Sequence, residues 1–410
     1  MPCLYKVSCC STQLQIKYLH LKRPSAWRKN LTSDTIYDIE ENYGKRYRDP
    51  LNMEMRKLGR TNLQVSAIGF GGARLNEHPD QAVATVHKAL EHGVNFIDTA
   101  RDYGYSEKYL GQALQGRRQE FFLATKVAFN HADLVQESIE TSLAQLKVDN
   151  IDLIYAHGCN NAEHYRILMR KQGMLHKLES ARSEGLAQFI GVSFDHFLPF
   201  DNNQTSVERM IALIESDAFD VIQIPMSLIR IERVEDQILP LAAERDLGVV
   251  VNFPTAGGIL TSDIGIFYNI LGSYITTPYQ GALLFSLLHP AVSCVLSGMS
   301  TQAFADENCA LGSIIENISG LKRRQLWDNI QAVGIGPCRS CGRCAPYTQD
   351  IPVRQILTYY DAVHRFGIQA ASPWYEKFRE QVLACDTFKE ADVVCPEGFN
   401  VLAEVKKVYR

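Results

Sequence analysis

The sequence predicts an α/β fold: a (β/α)8 TIM barrel followed by a small, mainly helical C-terminal module. Eight short apolar runs follow one another at regular intervals, and a stretch with helical spacing of its apolar residues separates each run from the next. Such alternation over roughly 240 residues is typical of a closed parallel barrel. The runs lie at 67–72, 95–100, 121–127, 151–158, 187–193, 221–227, 248–254 and 293–298.

The bulk composition sets broad limits on function. With 410 residues, of which 46% are hydrophobic and 21% charged, the chain can bury a large core. A net charge of −4 offers no attraction for nucleic acid or an anionic membrane, and no apolar run reaches the ~18 residues of a transmembrane helix. The 11 cysteines crowd toward the C-terminus, which favours metal or cluster binding in a reducing compartment. We expect a cytoplasmic protein with a small-molecule substrate and no nucleic-acid or membrane partner; the oligomeric state stays open.

The pattern divides the chain into an N-terminal extension at 1–54, the barrel at 55–330 and a C-terminal module at 331–410. The extension begins basic, with no acidic residue before Asp34. Such a start is compatible with an organellar targeting peptide. We favour the simpler interpretations, which are a flexible arm or a true start at Met53 or Met55.

Polar side chains at three successive strand ends carry the chemistry. The run NFIDTA ends in a polar turn with Asp98 and Tyr103, the run FFLATKV contains Lys126 near its end, and IDLIYAHG ends with His157. Because the carboxyl ends of parallel barrel strands meet at one mouth, these four side chains are expected to lie together. A tyrosine has an ordinary pKa of about 10, and a neighbouring ammonium favours its phenolate. A carboxylate paired with that lysine would keep it charged and in place.

The string FIDTA…YG.SE..LG.AL, with the lysine and histidine that follow it, resembles the signature of the aldo-keto reductase superfamily. The resemblance implies a catalytic tetrad of Asp98, Tyr103, Lys126 and His157. Tyr103 would be the general acid/base, Asp98 and Lys126 would tune it, and His157 would orient the carbonyl. The segment from Met55, MRKLGRTNLQVS, resembles the hairpin that closes the bottom of such barrels.

The same resemblance implies NADP or NAD as cofactor and a binding site on the later strand ends. Ser193 and Gln223 would hold the nicotinamide carboxamide, the glycine-bearing loop after the seventh strand would approach the pyrophosphate, and the loop and helix start after the eighth would bind the adenosine phosphate. The implied contacts beyond the carboxamide are Pro254, Gly257, Gly258, Gly298, Ser300, Glu307 and Asn308.

Three departures from the family pattern qualify the cofactor site. Phe194 stands where the family usually has an asparagine, and Asn252 replaces an aromatic residue or methionine beneath the nicotinamide ring. Ser300 replaces an arginine that many NADPH-selective members carry, and serine cannot make the bidentate charged contact to the 2′-phosphate. We expect NADPH to be preferred over NADH by no more than about tenfold in dissociation constant.

Cysteines at C-x2-C-x2-C spacing mark the C-terminal module. Cys338, Cys341 and Cys344 form the triplet, and Cys395–Pro396 follows about fifty residues later. This pattern resembles a ferredoxin-like module appended to a subgroup of aldo-keto reductases. The resemblance implies that these four cysteines hold a single [4Fe–4S] cluster, whereas the second set retains only Cys385. A structural zinc on the same four thiolates, or a remnant without metal, are the alternatives.

The main hypothesis is an NAD(P)-dependent oxidoreductase that interconverts a carbonyl and an alcohol by hydride transfer. One alternative is a redox-neutral enzyme that recycles tightly bound nucleotide on a sugar-like substrate. Another is a non-catalytic, nucleotide-sensing regulatory subunit built on the same barrel, because one fold can host many functions. A single cluster without a second relay would pin the C-terminal module rather than transfer electrons.

Overall fold

The computed structural model describes residues 52–75, 77–195, 206–229, 234–261, 265–333, 338, 341–366 and 375–410. Nearly all of the predicted extension at 1–54 lies outside the described residues. The boundary between the barrel and the C-terminal module near residue 330 stays a prediction.

Eight parallel strands close into a barrel in the described part of the chain, as the sequence predicts. Their order around the barrel is β10-β3-β4-β5-β6-β7-β8-β9. An antiparallel hairpin of β1 and β2 precedes them, with Met55 opposite Ser66. Each predicted apolar run coincides with one barrel strand to within about two residues at either end. The strands are β1 Met55–Lys57, β2 Gln64–Ser66, β3 Ile68–Gly71, β4 Phe96–Asp98, β5 Phe122–Ala128, β6 Ile151–His157, β7 Ala187–Ser193, β8 Val221–Pro225, β9 Gly248–Asn252 and β10 Cys294–Gly298.

Two layers of apolar side chains explain why these runs form a barrel. One set fills the barrel interior, where Phe96, Tyr155 and Val250 are inaccessible to solvent. The hairpin closes the lower end, because Leu58 belongs to the same interior cluster. At Gly59 the backbone φ is +49°, and a Cβ there would lie 2.1 Å from the backbone nitrogen of Gly248, so only glycine fits.

The second layer lies between the strands and the surrounding helices. The helix Ser206–Glu215, for example, buries Met210, Leu213 and Ile214 at helical spacing against the barrel. The described helices of the barrel region are Pro79–Glu91, Ser106–Ala113, Val135–Leu146, Ala162–Met169, Met174–Ser183, Ser206–Glu215, Val234–Glu244, Gly265–Leu271, Pro278–Leu287, Gln302–Glu316 and Gly320–Val333.

The C-terminal segment is mainly helical and has a core of its own. Ile356, Val382 and Val405, from three different helices, are fully buried there. Tyr359 and Val363 also pack against the barrel core. The mainly helical prediction agrees with these elements, whereas the ferredoxin-like character stays a prediction. The helices are Val353–Phe366, Arg379–Ala384, Lys389–Val394 and Val401–Lys407. Across the described residues, we find no helix with both the length and the apolar character needed to cross a bilayer.

Candidate active site

The carboxyl ends of β4, β5 and β6 bring the predicted catalytic residues together. In the parallel register Asp98 lies opposite Ala124, and Lys126 lies opposite Tyr155. The Lys126 Nζ therefore reaches the Asp98 carboxylate, where it donates a hydrogen bond to Oδ1 at 2.5 Å. A second hydrogen bond from the same ammonium, to the backbone oxygen of Thr99, measures 2.7 Å.

Tyr103 and His157 flank this ion pair. Tyr103 lies in the turn after β4, where its backbone N–H donates to the Ala100 carbonyl. The Lys126 Nζ is 5.0 Å from the centre of the Tyr103 ring, and the His157 ring meets Tyr103 edge-on with a centroid distance of 5.6 Å. All four residues implied by the family resemblance thus share one site, although their catalytic roles stay a prediction.

The Asp98–Lys126 pair is almost completely removed from solvent, with side-chain exposures of 3% and 0%. Burial raises the pKa of the Asp98 carboxyl, against the opposing effects of Lys126 and Gln223. Burial by itself lowers the pKa of the Lys126 ammonium, but the charges of Asp98 and Tyr103 reverse this and raise it above its ordinary value. The lysine is therefore held in its charged form.

The pKa of Tyr103 is raised rather than lowered. Burial of the phenol is the largest influence, and it outweighs the opposing charge of Lys126. The Lys126 ammonium alone would lower this pKa, as expected from the sequence, but desolvation disfavours the phenolate. Without a bound cofactor or substrate, Tyr103 therefore stands protonated, which is the form that donates a proton to a carbonyl.

His157 is neutral at ordinary pH. Burial lowers its pKa to about 4, and the charge of Lys126 acts in the same direction. A neutral imidazole carries one N–H and can donate a single hydrogen bond to a substrate oxygen. This state suits the orienting role that the resemblance implies.

Ser193 and Gln223 also lie at this mouth, and both already bind protein groups. The Ser193 hydroxyl accepts a hydrogen bond from the Gly158 backbone N–H at 2.9 Å. The Gln223 amide donates to Asp98 Oδ2 at 2.8 Å. Gln223 thus binds one oxygen of the Asp98 carboxylate, and Lys126 binds the other. Their predicted contacts with a nicotinamide carboxamide stay predictions.

The two unusual residues of the predicted nicotinamide site contact each other. The side-chain amide of Asn252, at the end of β9, donates to the Phe194 backbone oxygen at 2.9 Å. The Phe194 side chain itself is fully buried in the core around the barrel. The Asn252 Oδ1 is buried and has no hydrogen-bond partner among the described residues. Such an unsatisfied acceptor is rare in folded proteins, and either an ordered water or a ligand donor can satisfy it.

The predicted pyrophosphate loop follows β9 directly. Pro254 is buried, whereas Gly257 and Gly258 are exposed. Both glycines have positive φ angles, 70° and 97°, which other residues adopt only with strain. A Cβ at either position would meet no atom within 4 Å, so the backbone conformation, and not crowding, explains the glycines.

The predicted adenosine site lies after β10. Gly298 ends that strand, Ser300 follows it, and the Thr301 hydroxyl caps the next helix by accepting from the Phe304 N–H. Glu307 is half-buried and its backbone oxygen accepts from Gln280 at 2.7 Å. Asn308 is fully buried and donates to the Ser297 hydroxyl at 3.0 Å, which leaves its Oδ1 without a hydrogen-bond partner in the described region.

Sequence reasoning missed Asp195, which lies at the same mouth. Its Oδ1 is 3.9 Å from the His157 Nε2. Its charge also acts on Asp98, Tyr103 and Lys126. The available signal was its position, two residues beyond the end of a barrel strand, where this fold concentrates functional groups.

The four cysteines of the predicted cluster site line one cavity. Cys338, Cys341, Cys344 and Cys395 surround it together with Arg354 and other residues. Burial, together with the nearby Cys341 and Cys395, raises the pKa of the Cys344 thiol to about 12. Within the described residues, however, no three potential ligands stand close enough to hold a metal ion as they are arranged.

The remaining cysteine of the second set lies apart from this cavity. Cys385 is buried in the C-terminal core, and its Sγ lies 3.6 Å from the side-chain oxygen of Gln349. Phe388 and Ala391, which stand at the lost ligand positions, are also buried in that core. Tyr347, which stands where a fourth cysteine would follow the C-x2-C-x2-C triplet and serve the second set, is 41% exposed. Apolar packing therefore occupies the region of the second set.

Comparison with known proteins agrees with this geometry. The model of the Aldo/keto reductase family matches residues 67–316. The L-galactose dehydrogenase of Arabidopsis thaliana is 30% identical over 65% of this chain and 90% of its own length. The 6-dehydroglucose reductase of Novosphingobium aromaticivorans is 35% identical over 35% of this chain and 52% of its own. An aldo-keto reductase from Klebsiella pneumoniae, solved with NADPH, is 25% identical, with a TM-score of 0.55 over 67% of this chain and 94% of its own.

The family match spans more than half of the chain and covers all eight barrel strands. It also includes Asp98, Tyr103, Lys126 and His157, which the fold brings to one mouth. The chain therefore belongs to the aldo/keto reductase family, and its activity is the interconversion of a carbonyl and an alcohol.

Proposed function

We propose that the chain carries out this reaction with NADP or NAD, using Tyr103 as the general acid/base. The observation that carries the proposal is the buried Asp98–Lys126 pair beside Tyr103 and His157 at the strand ends. A buried ion pair of this kind is tolerated where hydrogen bonds satisfy both partners, and perturbed groups at a barrel mouth are typical of active sites.

The chain's own residues supply the proton and the orientation. In reduction, Tyr103 donates its proton to the carbonyl oxygen, and the adjacent Lys126 charge stabilises the phenolate that remains. Neutral His157 donates a hydrogen bond to the same oxygen through Nε2. In oxidation the phenolate accepts the alcohol proton. The dinucleotide, when bound, supplies or accepts the hydride.

Three features of the described residues fit a nicotinamide dinucleotide. The buried oxygens of Asn252 and Asn308 have no hydrogen-bond partners there, and each can accept from an amide or amino group. The glycine loop at 257–258 exposes its backbone beside the mouth. The capped start of the helix Gln302–Glu316 presents N–H groups that suit a phosphate.

Several observations bear on cofactor and substrate. The Klebsiella relative was solved with NADPH, which supports NADP, whereas Ser300 in place of arginine supports use of NADH as well. Two relatives are named for sugar substrates, L-galactose dehydrogenase and 6-dehydroglucose reductase. These names favour a hydroxylated, sugar-like substrate. The cytoplasmic location stays a prediction.

We further propose that Cys338, Cys341, Cys344 and Cys395 hold one [4Fe–4S] cluster with a structural role. Their shared cavity and the separate burial of Cys385 support this ligand set. Because the thiols are not arranged for ligation as they stand, binding requires them to move closer together. Arg343 in the cysteine loop pairs with Glu208 on a barrel helix, so an ordered loop would hold the module against the barrel.

Substitution of Tyr103 tests the proposed activity. Tyr103→Phe removes one hydroxyl, and loss of a general acid of this kind lowers kcat by about a hundredfold to ten-thousandfold. Oxidation of NADPH with a panel of aldehydes measures turnover, and quenching of protein fluorescence measures cofactor binding. We expect turnover to be lost while the cofactor dissociation constant stays within about twofold of the wild type.

Tyr105 offers a matched control two residues away. It is 62% exposed and stacks on Tyr109, so Tyr105→Phe makes the same chemical change outside the site. This variant should retain wild-type turnover. Retained activity in Tyr103→Phe would remove Tyr103 from its proposed role.

A further inference from the structure

Asp195 is held at the active-site mouth by contacts with the loop after β6. Its backbone N–H donates to the Asn160 side-chain oxygen at 3.0 Å. A Cβ at Gly158 would lie 2.5 Å from the Asp195 Oδ2, so glycine at 158 leaves room for the carboxylate. The side chain therefore lies against the loop that carries His157.

The distance from Asp195 to His157 places it beside the reacting carbonyl. Its Oδ1 is 3.9 Å from the His157 Nε2, longer than a hydrogen bond. Nε2 is the atom that the proposed mechanism uses to bind the carbonyl oxygen. A hydrogen-bond acceptor 3.9 Å from that atom lies within reach of an oxygen on the carbon next to the substrate carbonyl. Asp195 is 29% exposed at its side chain, so a substrate can approach it.

Among the described residues, no lysine or arginine forms a salt bridge with Asp195, although its charge acts on Lys126 across the site. The Asp98 carboxylate is neutralised by Lys126, and burial keeps His157 uncharged. The nearby Arg101 is directed to Glu107, with 3.6 Å between Nη1 and Oε2. The mouth therefore presents a carboxylate acceptor to the substrate and repels an anionic group at the same point.

We propose that Asp195 is a specificity-determining residue that accepts a hydrogen bond from a hydroxyl on the carbon adjacent to the reacting carbonyl. This inference rests on the proposed function, because it uses the carbonyl position between Tyr103 and His157. It assigns the substrate to the neutral α-hydroxy carbonyls and their polyhydroxylated relatives. It also excludes 2-oxo acids, whose carboxylate would occupy the same place.

Three carbonyl compounds of similar size and different polarity separate the hydrogen bond to Asp195 from its repulsion of an anionic group. Glyceraldehyde carries the adjacent hydroxyl, propanal lacks it, and pyruvate replaces it with a carboxylate. The measurement is kcat/KM for each compound with NADPH. A hydrogen bond to a charged group is expected to favour glyceraldehyde over propanal by about tenfold or more in the wild type.

Two variants of Asp195 test the assignment. Asp195→Asn keeps the shape and removes the charge, and Asp195→Ala removes the acceptor altogether. In Asp195→Ala we expect kcat/KM for glyceraldehyde to fall by about tenfold or more, with propanal within about twofold of wild type. Both variants should also raise kcat/KM for pyruvate relative to that for propanal, because the repelling carboxylate is gone. Circular dichroism checks that each variant is folded.

Asp102→Asn is the matched charge control. Asp102 is exposed and its charge also acts on His157, but it has no described contact with that ring. This variant should leave the glyceraldehyde-to-propanal ratio unchanged. An unchanged ratio in both Asp195 variants, or an equal loss for both aldehydes, overturns the inference. A wild type that reduces none of the three compounds overturns the proposed function, and this inference with it.

Discussion

The barrel mouth and the cysteine cavity differ in how completely the fold arranges them. At the mouth, the Asp98 carboxylate binds Lys126 and Gln223 through its two oxygens, and every contact is shorter than 3 Å. At the cavity, four thiols face a common space, but as they stand no three described ligands can hold a metal ion. One site has its side chains in contact without a ligand, whereas the thiols of the other are not arranged to ligate a metal ion.

The difference follows from the energetics of the groups involved. A buried carboxylate or ammonium without a partner costs several kcal/mol, so the fold must satisfy both in the absence of cofactor. Parallel strand register fixes their spacing rigidly. A thiol behaves as a small apolar side chain and tolerates burial without a partner. The fold therefore does not need to fix the positions of these thiols as it fixes those of the charged pair.

The largest expected effect, on both stability and activity, comes from removing Lys126 from its ion pair with Asp98. Lys126→Met leaves the Asp98 carboxylate buried without its cation, which should lower the free energy of unfolding by about 3–5 kcal/mol. Activity should fall by at least about a hundredfold, because Tyr103 loses its charged neighbour. Urea unfolding and steady-state kinetics measure the two effects.

Two further variants sharpen this result. The double variant Lys126→Met/Asp98→Leu removes both charges and should recover much of the stability but none of the activity. Lys57→Met breaks an exposed pair with Asp246 and should change stability by less than about 1 kcal/mol. Equal losses in Lys57→Met and Lys126→Met would contradict the view that the mouth is organised by its buried charges.

Substitution of the cysteines is expected to have an intermediate effect, measured as the iron and sulfide content of the protein. Wild-type protein purified without oxygen should contain about four iron and four acid-labile sulfide per chain. Cys395→Ala should lose both, because it removes one of the four proposed ligands. Cys385→Ala removes a thiol buried in the same module and should keep them.

The outcomes distinguish the alternatives for this cavity. Loss of iron from Cys385→Ala with retention in Cys395→Ala would reverse the ligand assignment. One zinc per chain without sulfide would replace the cluster by a structural metal site. Absence of iron, sulfide and zinc would show that the cavity is a remnant without metal. It would then no longer be a ligand site that can be compared with the barrel mouth.

The smallest expected effect on activity concerns pH. Because burial lowers the pKa of His157 to about 4, its ring stays neutral in the folded protein at pH 5–8 and contributes no step to kcat/KM there. In the unfolded chain the ring titrates near 6.5, so below that pH the unfolded state binds more protons and stability falls toward pH 4. An NMR titration of the His157 ring checks this directly. A midpoint between pH 6 and 7 would contradict it.

Particular residues show how much of the fold and of the active site could be predicted from the sequence. Alternating apolar runs predicted all eight barrel strands, and the motif around Asp98 led to the tetrad positions that the fold brings together. Gln223 was expected at the nicotinamide, and its bond to Asp98 was not foreseen. The raised pKa of Tyr103 was also missed, because a sequence motif carries no information on desolvation.

The sequence by itself determined the fold class, the strand ends that carry polar groups, and the cysteines that could act together. These depend on periodicity and spacing, which are local properties of the chain. Tertiary structure alone decided that Asp195 faces His157, that Asn252 binds the Phe194 backbone, and that the cavity lined by the four other cysteines of the module does not include Cys385. Distances and burial between segments remote in sequence set these features, because strand register and side-chain packing arise only when the whole barrel closes.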